Sequence, residues 1–332
     1  MIRAGWRLPA TDLAVAHGPL MVSGFLGALI GMERAVALGR RWAFAAPLLA
    51  GAGSVLTILG LPQVVARAVF ALASALLAAV FAALYRRQPA LPPAVMGAGV
   101  LSWLGGNLVW MATCSLPLTV PWWTAFLVLM IAGERLELSR VARPPRWATT
   151  TFVLLGILLL TGPPLALVSA ATGIRTSAAA MVGMAAWLLR YDPARPLLRL
   201  AGLHRFTAAN LLAGYLWLLA AGILWFAAPG PRGGYLYDAR LHAVFVGFVF
   251  SMVFAHAPII LPAVLGRTVP YRPAFYGHAA LLHAGLVLRV AADLIPSPPG
   301  RRWGALLNTL ALVLFLVNTA RAGPLTGLRT AL

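Results

Sequence analysis

The chain is 332 residues long and 61% hydrophobic, with only 10% charged residues and a mean hydropathy of +0.88. A soluble domain carries about 25% charged residues, so no water-facing surface can be built here, and most of the chain must meet lipid or other apolar helices. The net charge of +19 does not indicate nucleic acid, because all 26 basic residues are arginines standing at the ends of apolar runs rather than in one stripe.

The apolar runs are bounded by Arg, Pro and Gly. They predict membrane helices at 11–32, 43–60, 63–84, 93–113, 119–138, 147–165, 168–190, 203–227, 239–262, 274–294 and 303–321. Each approaches the ~20 residues that cross a hydrocarbon layer. The first run, Ala10 to Met32, is too long for a secretory h-region and no A-x-A site follows, so it reads as a span. The "TGPP" at 161–164 leaves a very short turn between the sixth and seventh runs. The single cysteine, Cys114, permits no internal disulfide and reads as packing.

Arginine sets the orientation. With the N-terminus outside, seventeen arginines fall on the inner side: Arg34, Arg40, Arg41, Arg86, Arg87, Arg135, Arg140, Arg143, Arg146, Arg190, Arg195, Arg199, Arg205, Arg267, Arg272, Arg321 and Arg329. Six fall outside: Arg3, Arg7, Arg232, Arg240, Arg301 and Arg302. Arg67, Arg175 and Arg289 lie within runs. The positive-inside rule selects this orientation, with the C-terminus in the cytoplasm. The expectation is one transmembrane domain over 1–332 in a bacterial cytoplasmic (inner) membrane, with the lipid bilayer as its main partner and no nucleic acid.

A weak internal repeat pairs "GFLGALIGMERAVALGRRW" (24–42) with "AFLVLMIAGERLELSRVARPPRW" (125–147). Both place Glu-Arg at the inner end of a run, Glu33-Arg34 and Glu134-Arg135. These read as membrane-edge ion pairs, with proton uptake as the alternative. The ninth run can be laid on the same pattern with His256 near the Glu position. That predicts equivalent first, fifth and ninth helices, grouped as four, four and three.

Six histidines offer chemistry: His17, His204, His242, His256, His278 and His283. Ionisable groups in spans are costly and are functional candidates by default, and neutral His is the commonest metal and haem ligand. His242 and His256 are 14 residues apart on one helix. They therefore share a face at depths differing by roughly 21 Å. His17 and His242 are equally close to the outer ends of their runs and suit the two axial positions of one haem. Reflection about residue 269 places His283 level with His256 as a deeper haem or copper site, with His278 at its inner edge. His204, beside Arg205, reads as an interfacial anchor. Arg289 and Asp293 are four apart and can pair on one face; Arg289 is also placed to meet a haem propionate. No C-x-x-C-H motif occurs, so any haem would be non-covalent.

"LHAVFVGFVFSMVFAHAPIILPAVLGRTVPYRP" (241–273), "ALLHAGLVLRVAADL" (280–294) and "WGALLNTLALVLFLVNTAR" (303–321) resemble the C-terminal part of NnrS-family membrane proteins. "HGPLMVSGFLGALI" (17–30) resembles that family's first helix, and "AHAPIILP" is also similar to heme-copper oxidase subunit I. The resemblance covers about a third of the chain. It implies an all-α polytopic bundle of about eleven helices in arcs of four, binding haem b and copper, and it carries over His17 and His242 as ligands. It implies electron transfer or nitric oxide metabolism, with nitric oxide, a quinol or a cytochrome as partner and an oxidoreductase as the enzyme class. Two departures stand against oxygen reduction: Arg267 replaces the His of an NnrS-like "LGHT", and no His-His or His-x-His occurs. The alternative is a cofactor-free transporter or channel with a path lined by His and Arg.

Overall fold

The computed structural model describes residues 12–230, 233–265, 267–268, 270–320 and 323–324. Arg3, Arg7, Arg232, Arg321 and Arg329, used above for orientation, lie outside them. The long helices are α1 Val15–Leu38, α2 Arg41–Ile58, α3 Gln63–Arg87, α4 Leu91–Thr113, α5 Leu116–Ala142, α6 Arg146–Val168, α7 Ala170–Tyr191, α8 Leu203–Ala227, α9 Tyr235–Pro262, α10 Phe275–Leu294 and α11 Pro298–Ala320. All except α7 are long and apolar enough to cross a membrane, ten among the described residues. The bundle is all-α; the one described strand pairing is a two-residue antiparallel contact of Arg267–Thr268 with Gly323–Pro324.

Eleven spans were expected, and α7 falls short in composition, not in length. It has 22 residues but carries Arg175 and many Ala, Gly, Ser and Thr. Its path is fixed by its ends. Asp192, just past α7, pairs with Arg135 near the end of α5, so α6 and α7 make one complete return traverse. The "TGPP" is not the turn: Pro163 and Pro164 lie inside α6, and the chain reverses at Ser169. Close approach of the two helices explains this. Gly173 lies against the backbone of Ala166, and a Cβ there would fall on the Ala166 nitrogen.

The ends are named outer and inner after the arginine-derived orientation. The alternation is supported at several ends. At the inner side Arg87 donates to the Leu38 carbonyl at 2.7 Å. At the outer side Arg67 donates to Cys114 Sγ at 2.6 Å, so this exposed thiol is an acceptor rather than packing. Arg240 likewise donates to the carbonyls of Ala228 and Gly230 beyond α8, satisfying groups the helix end leaves unpaired.

Of the three helices singled out as repeats, α5 and α9 are the most buried, whereas α1 is only 39% buried and joins them through side-chain contacts. Burial is greatest in α5 (78% of its apolar window) and high in α9 (61%), against 28% in α11. Arg34 of α1 pairs with Glu134 of α5, and Phe25 of α1 stacks on Phe250 of α9 at 6.0 Å. α9 also packs on α5. The two Glu-Arg pairs are therefore crossed. Arg34 serves both Glu33 and Glu134, while Arg135 turns to Asp192 with Nε–Oδ2 at 2.6 Å and Nη2–Oδ1 at 3.0 Å. A polar knot joins α1, α3, α4 and α5. Asn107 Oδ1 accepts from Ser23 Oγ (3.1 Å) and Trp123 Nε1 (3.0 Å), and its amide donates to the Phe70 carbonyl (3.1 Å).

The Asp192 carboxylate is 0% exposed and Glu33 is 27% exposed. Asp192→Asn strands a buried guanidinium and is expected to destabilise by about 3–5 kcal/mol. Glu33→Gln should cost at most about 1 kcal/mol. Denaturant titration in mixed micelles measures both, and equal costs would refute this assignment. Gly173→Val should separate α6 from α7 and lose at least about 1–3 kcal/mol in the same assay.

Candidate functional site

α1 and α9 run parallel with a constant offset. Phe25 stacks on Phe250, and eight residues earlier on each helix stand His17 and His242. A π-helical segment follows each His: Leu20–Leu26 in α1, which contains Phe25, and Ala243–Val249 in α9, which ends just before Phe250. Wide π turns are rare in helices and concentrate at functional sites. Because both helices carry one, the two histidines stay level and face one cavity.

They line one cavity of about 340 Å³. Its walls come from α1 (His17, Met21, Leu26), the outer start of α5 (Trp123), α9 (Asp238, His242, Phe245, Phe250), α10 (Arg289) and α11 (Asn308, Leu312). One end is polar and the rest apolar. His17 is exposed at the rim and His242 is half-buried. Trp123 is held in the wall by the Asn107 knot.

Hydrogen bonding sorts the histidines by the nitrogen each leaves free. His242 Nδ1 lies 2.8 Å from the Asp238 carbonyl, which only accepts, so Nδ1 carries the proton and Nε2 presents its lone pair. His256 has the same geometry, with Nδ1 2.8 Å from the Met252 carbonyl. A backbone or carboxylate acceptor behind the ring is the usual support of a metal-ligating histidine. His283 is the reverse case. Its Nδ1 accepts from Trp217 Nε1 at 3.1 Å, and an indole can only donate, so the His283 proton is on Nε2. His278 is 2% exposed, lies 3.1 Å from Asn318 Nδ2, and is boxed by Phe254, Phe275 and Phe315. His204 is exposed at the inner start of α8.

The expected deep pairing of His256 with His283 is not formed. Trp217, which holds His283, packs against Gly247. Nine residues, roughly 13 Å of helix, separate Gly247 from His256. The hairpin is not symmetric about residue 269, because Asp238–Arg289 and Phe254–His278 contacts place its mirror point several residues earlier. His278 is thus the histidine of α10 nearest the depth of His256. Among the described residues, no three His, Cys, Asp or Glu side chains assemble as a metal cluster.

The expected Arg289–Asp293 pair is also replaced. Arg289 Nε donates to Asp238 Oδ2 at 2.9 Å and its Nη2 lies 2.8 Å from the same oxygen. Asp293 pairs with Arg301 at 3.2 Å. Within a helix, a cation four residues before an anion is the less favourable order, and a carboxylate on the neighbouring helix wins. Asp238 and Asp192 were missed by the sequence reading. The one available signal for Asp238 was its i,i+4 spacing to His242 at the start of a span.

No curated protein and no solved structure matches the chain. Residues 1–323 match the family described as Domain of unknown function (DUF8744), which covers nearly the whole bundle, cavity included, and the chain belongs to that family.

Proposed function

We propose that this is a haem-binding membrane protein whose outer cavity holds a b-type haem between His17 and His242, in electron transfer or nitric oxide chemistry. The observation that carries the reading is the His242 ring, which donates Nδ1–H to the Asp238 carbonyl and faces the same cavity as His17. The fit is chemical. Two imidazoles stand level across an apolar space, one of them fixed in the ligating tautomer, and Met21, Leu26, Phe245 and Phe250 offer walls for a flat apolar group. At about 340 Å³ the cavity lies at the low end of small-molecule sites, roughly 300–1,000 Å³. Arg289 lines it, but two of its nitrogens face Asp238, so it supports a propionate less fully than a free guanidinium would. When bound, the haem supplies one-electron chemistry and affinity for diatomic ligands. The chain's part is to orient His242 through Asp238 and to exclude water with Trp123 and the phenylalanines.

The resemblance of 241–273 to NnrS-family sequences supports nitric oxide as the small molecule, and a bacterial cytoplasmic membrane as the location. The same resemblance implies copper as well, although His283, one half of the deeper pair expected to hold it, is engaged by Trp217. His256 keeps the ligating tautomer without an assembled partner set among the described residues.

The test is an oxidised and dithionite-reduced visible spectrum of the detergent-purified protein, with iron analysis. Sharp reduced α and β bands are expected. They should fall by more than about tenfold in His17→Ala and His242→Ala, because even an outer hydrogen-bond partner of a ligand is worth about 10–100-fold. His204→Ala should leave them intact. A protein that stays colourless after expression with added haem would overturn the proposal and favour a cofactor-free path through the same cavity.

A further inference from the structure

Four charged side chains form one chain of ion pairs at the outer ends of α9, α10 and α11. Arg289 holds Asp238 Oδ2 at 2.8–2.9 Å. Arg301 bridges two carboxylates, with Nη2 3.0 Å from Asp238 Oδ1 and Nε 3.2 Å from Asp293 Oδ1. The ring of Tyr235 lies 5.1 Å from the Arg301 guanidinium carbon. Arg240 is turned away, onto the carbonyls of Ala228 and Gly230.

The two carboxylates are not equivalent. Asp238 is bracketed by two guanidiniums and has His242 Nδ1 3.3 Å from Oδ2. Asp293 has a side chain 0% exposed, and among the described residues neither of its oxygens accepts an aligned hydrogen bond. A buried carboxylate left in this way is expensive as an anion. Protonation at Asp293 would leave every contact of Asp238 in place.

Their positions give this asymmetry a direction. Asp238 lines the histidine cavity. Asp293 lines a second cavity of about 390 Å³, built from the loop after α8 (Ala228, Gly230, Gly233, Gly234) and from Pro296 after α10. Tyr237 is a wall of both.

We propose that Asp293 is a buried proton-exchange site, set in the wall of the outer loop cavity and coupled electrostatically through Arg301 and Asp238 to the histidine cavity. With both carboxylates ionised, the two Asp and two Arg sum to zero. One proton from hydronium in the outer cavity forms an O–H bond on Asp293 as an O–H bond of the hydronium breaks and water is released, and no bond in the protein is broken. The cluster then carries +1, which compensates a negative charge arriving in the histidine cavity, whether an electron or an anion. The groups facing this cluster are Asp238 and His242 from α9, Arg289 from α10, Arg301 from α11, and Tyr235 and Tyr237 at the start of α9. The proposal does not rest on the haem reading, because the proton site is read on protein without cofactor.

Infrared difference spectra of the full chain in lipid, between acid and alkaline buffer, test it. A protonated-carboxyl stretching band should appear on acidification, shift in heavy water, vanish in Asp293→Asn and persist in Glu33→Gln. Asp293→Glu, which keeps the carboxyl, should retain the band at a displaced frequency. No band in the native protein, a band that survives in Asp293→Asn, or its absence from a folded Asp293→Glu would each overturn the proposal.

Discussion

The outer half of the bundle depends on one buried carboxylate. An unpaired Asp238 would be untenable in apolar surroundings. α10 and α11 must therefore each bring a guanidinium to it, and Arg289 and Arg301 do. These contacts fix how far α10 slides along α9, and so decide which residues of the two helices are level. Asp238 acts a second time through its backbone: its carbonyl receives the His242 ring nitrogen one turn on. Helix depth and imidazole orientation thus share one origin.

The second constraint is the match between α1 and α9. A π-helical segment changes rise and rotation relative to an α-helix. A single such segment in one of two parallel partners would move its histidine out of register with the other. Because Leu20–Leu26 and Ala243–Val249 occupy overlapping stretches, offset by two residues, Phe25 and Phe250 stack below and His17 and His242 face one cavity above. The seam between these helices is therefore a matched pair of irregular segments, each ending near a histidine, rather than two plain spans.

Much of this was legible in the sequence. Apolar runs placed all eleven helices, and the distances of His17 and His242 from their helix ends placed them together. Partners across helices were not legible. Glu134 and Arg135 are adjacent in the chain, yet neighbours on a helix point about 100° apart, and these two, unlike Glu33 and Arg34, do not pair. Each therefore finds a partner elsewhere, Glu134 in Arg34 and Arg135 in Asp192. Asp238 and Asp192 escaped notice because they sit at the outer start of α9 and just past α7, where acidic residues are ordinarily solvated. The depth of His283 was misplaced because residue 269, near the middle of the nonhelical stretch, was taken as the mirror point, whereas the Asp238–Arg289 and Phe254–His278 contacts set it several residues earlier.

The division among the histidines locates the chemistry. Trp217 can give only a donor, so its bond to His283 fixes the proton of that ring on Nε2, and a ligand arriving there would have to displace the indole or move the proton. On the α8 side of α9 and α10, histidine is consumed in holding helices together, as polar groups in membrane bundles often are. On the α1 side, His242 is supported from behind by a carbonyl and leaves its lone pair toward a cavity shared with His17. The same residue type is structural on one seam and poised for ligation on the other. The difference is set by whether Nδ1 meets a donor on the neighbouring helix, as in His283, or an acceptor one turn back on its own helix, as in His242.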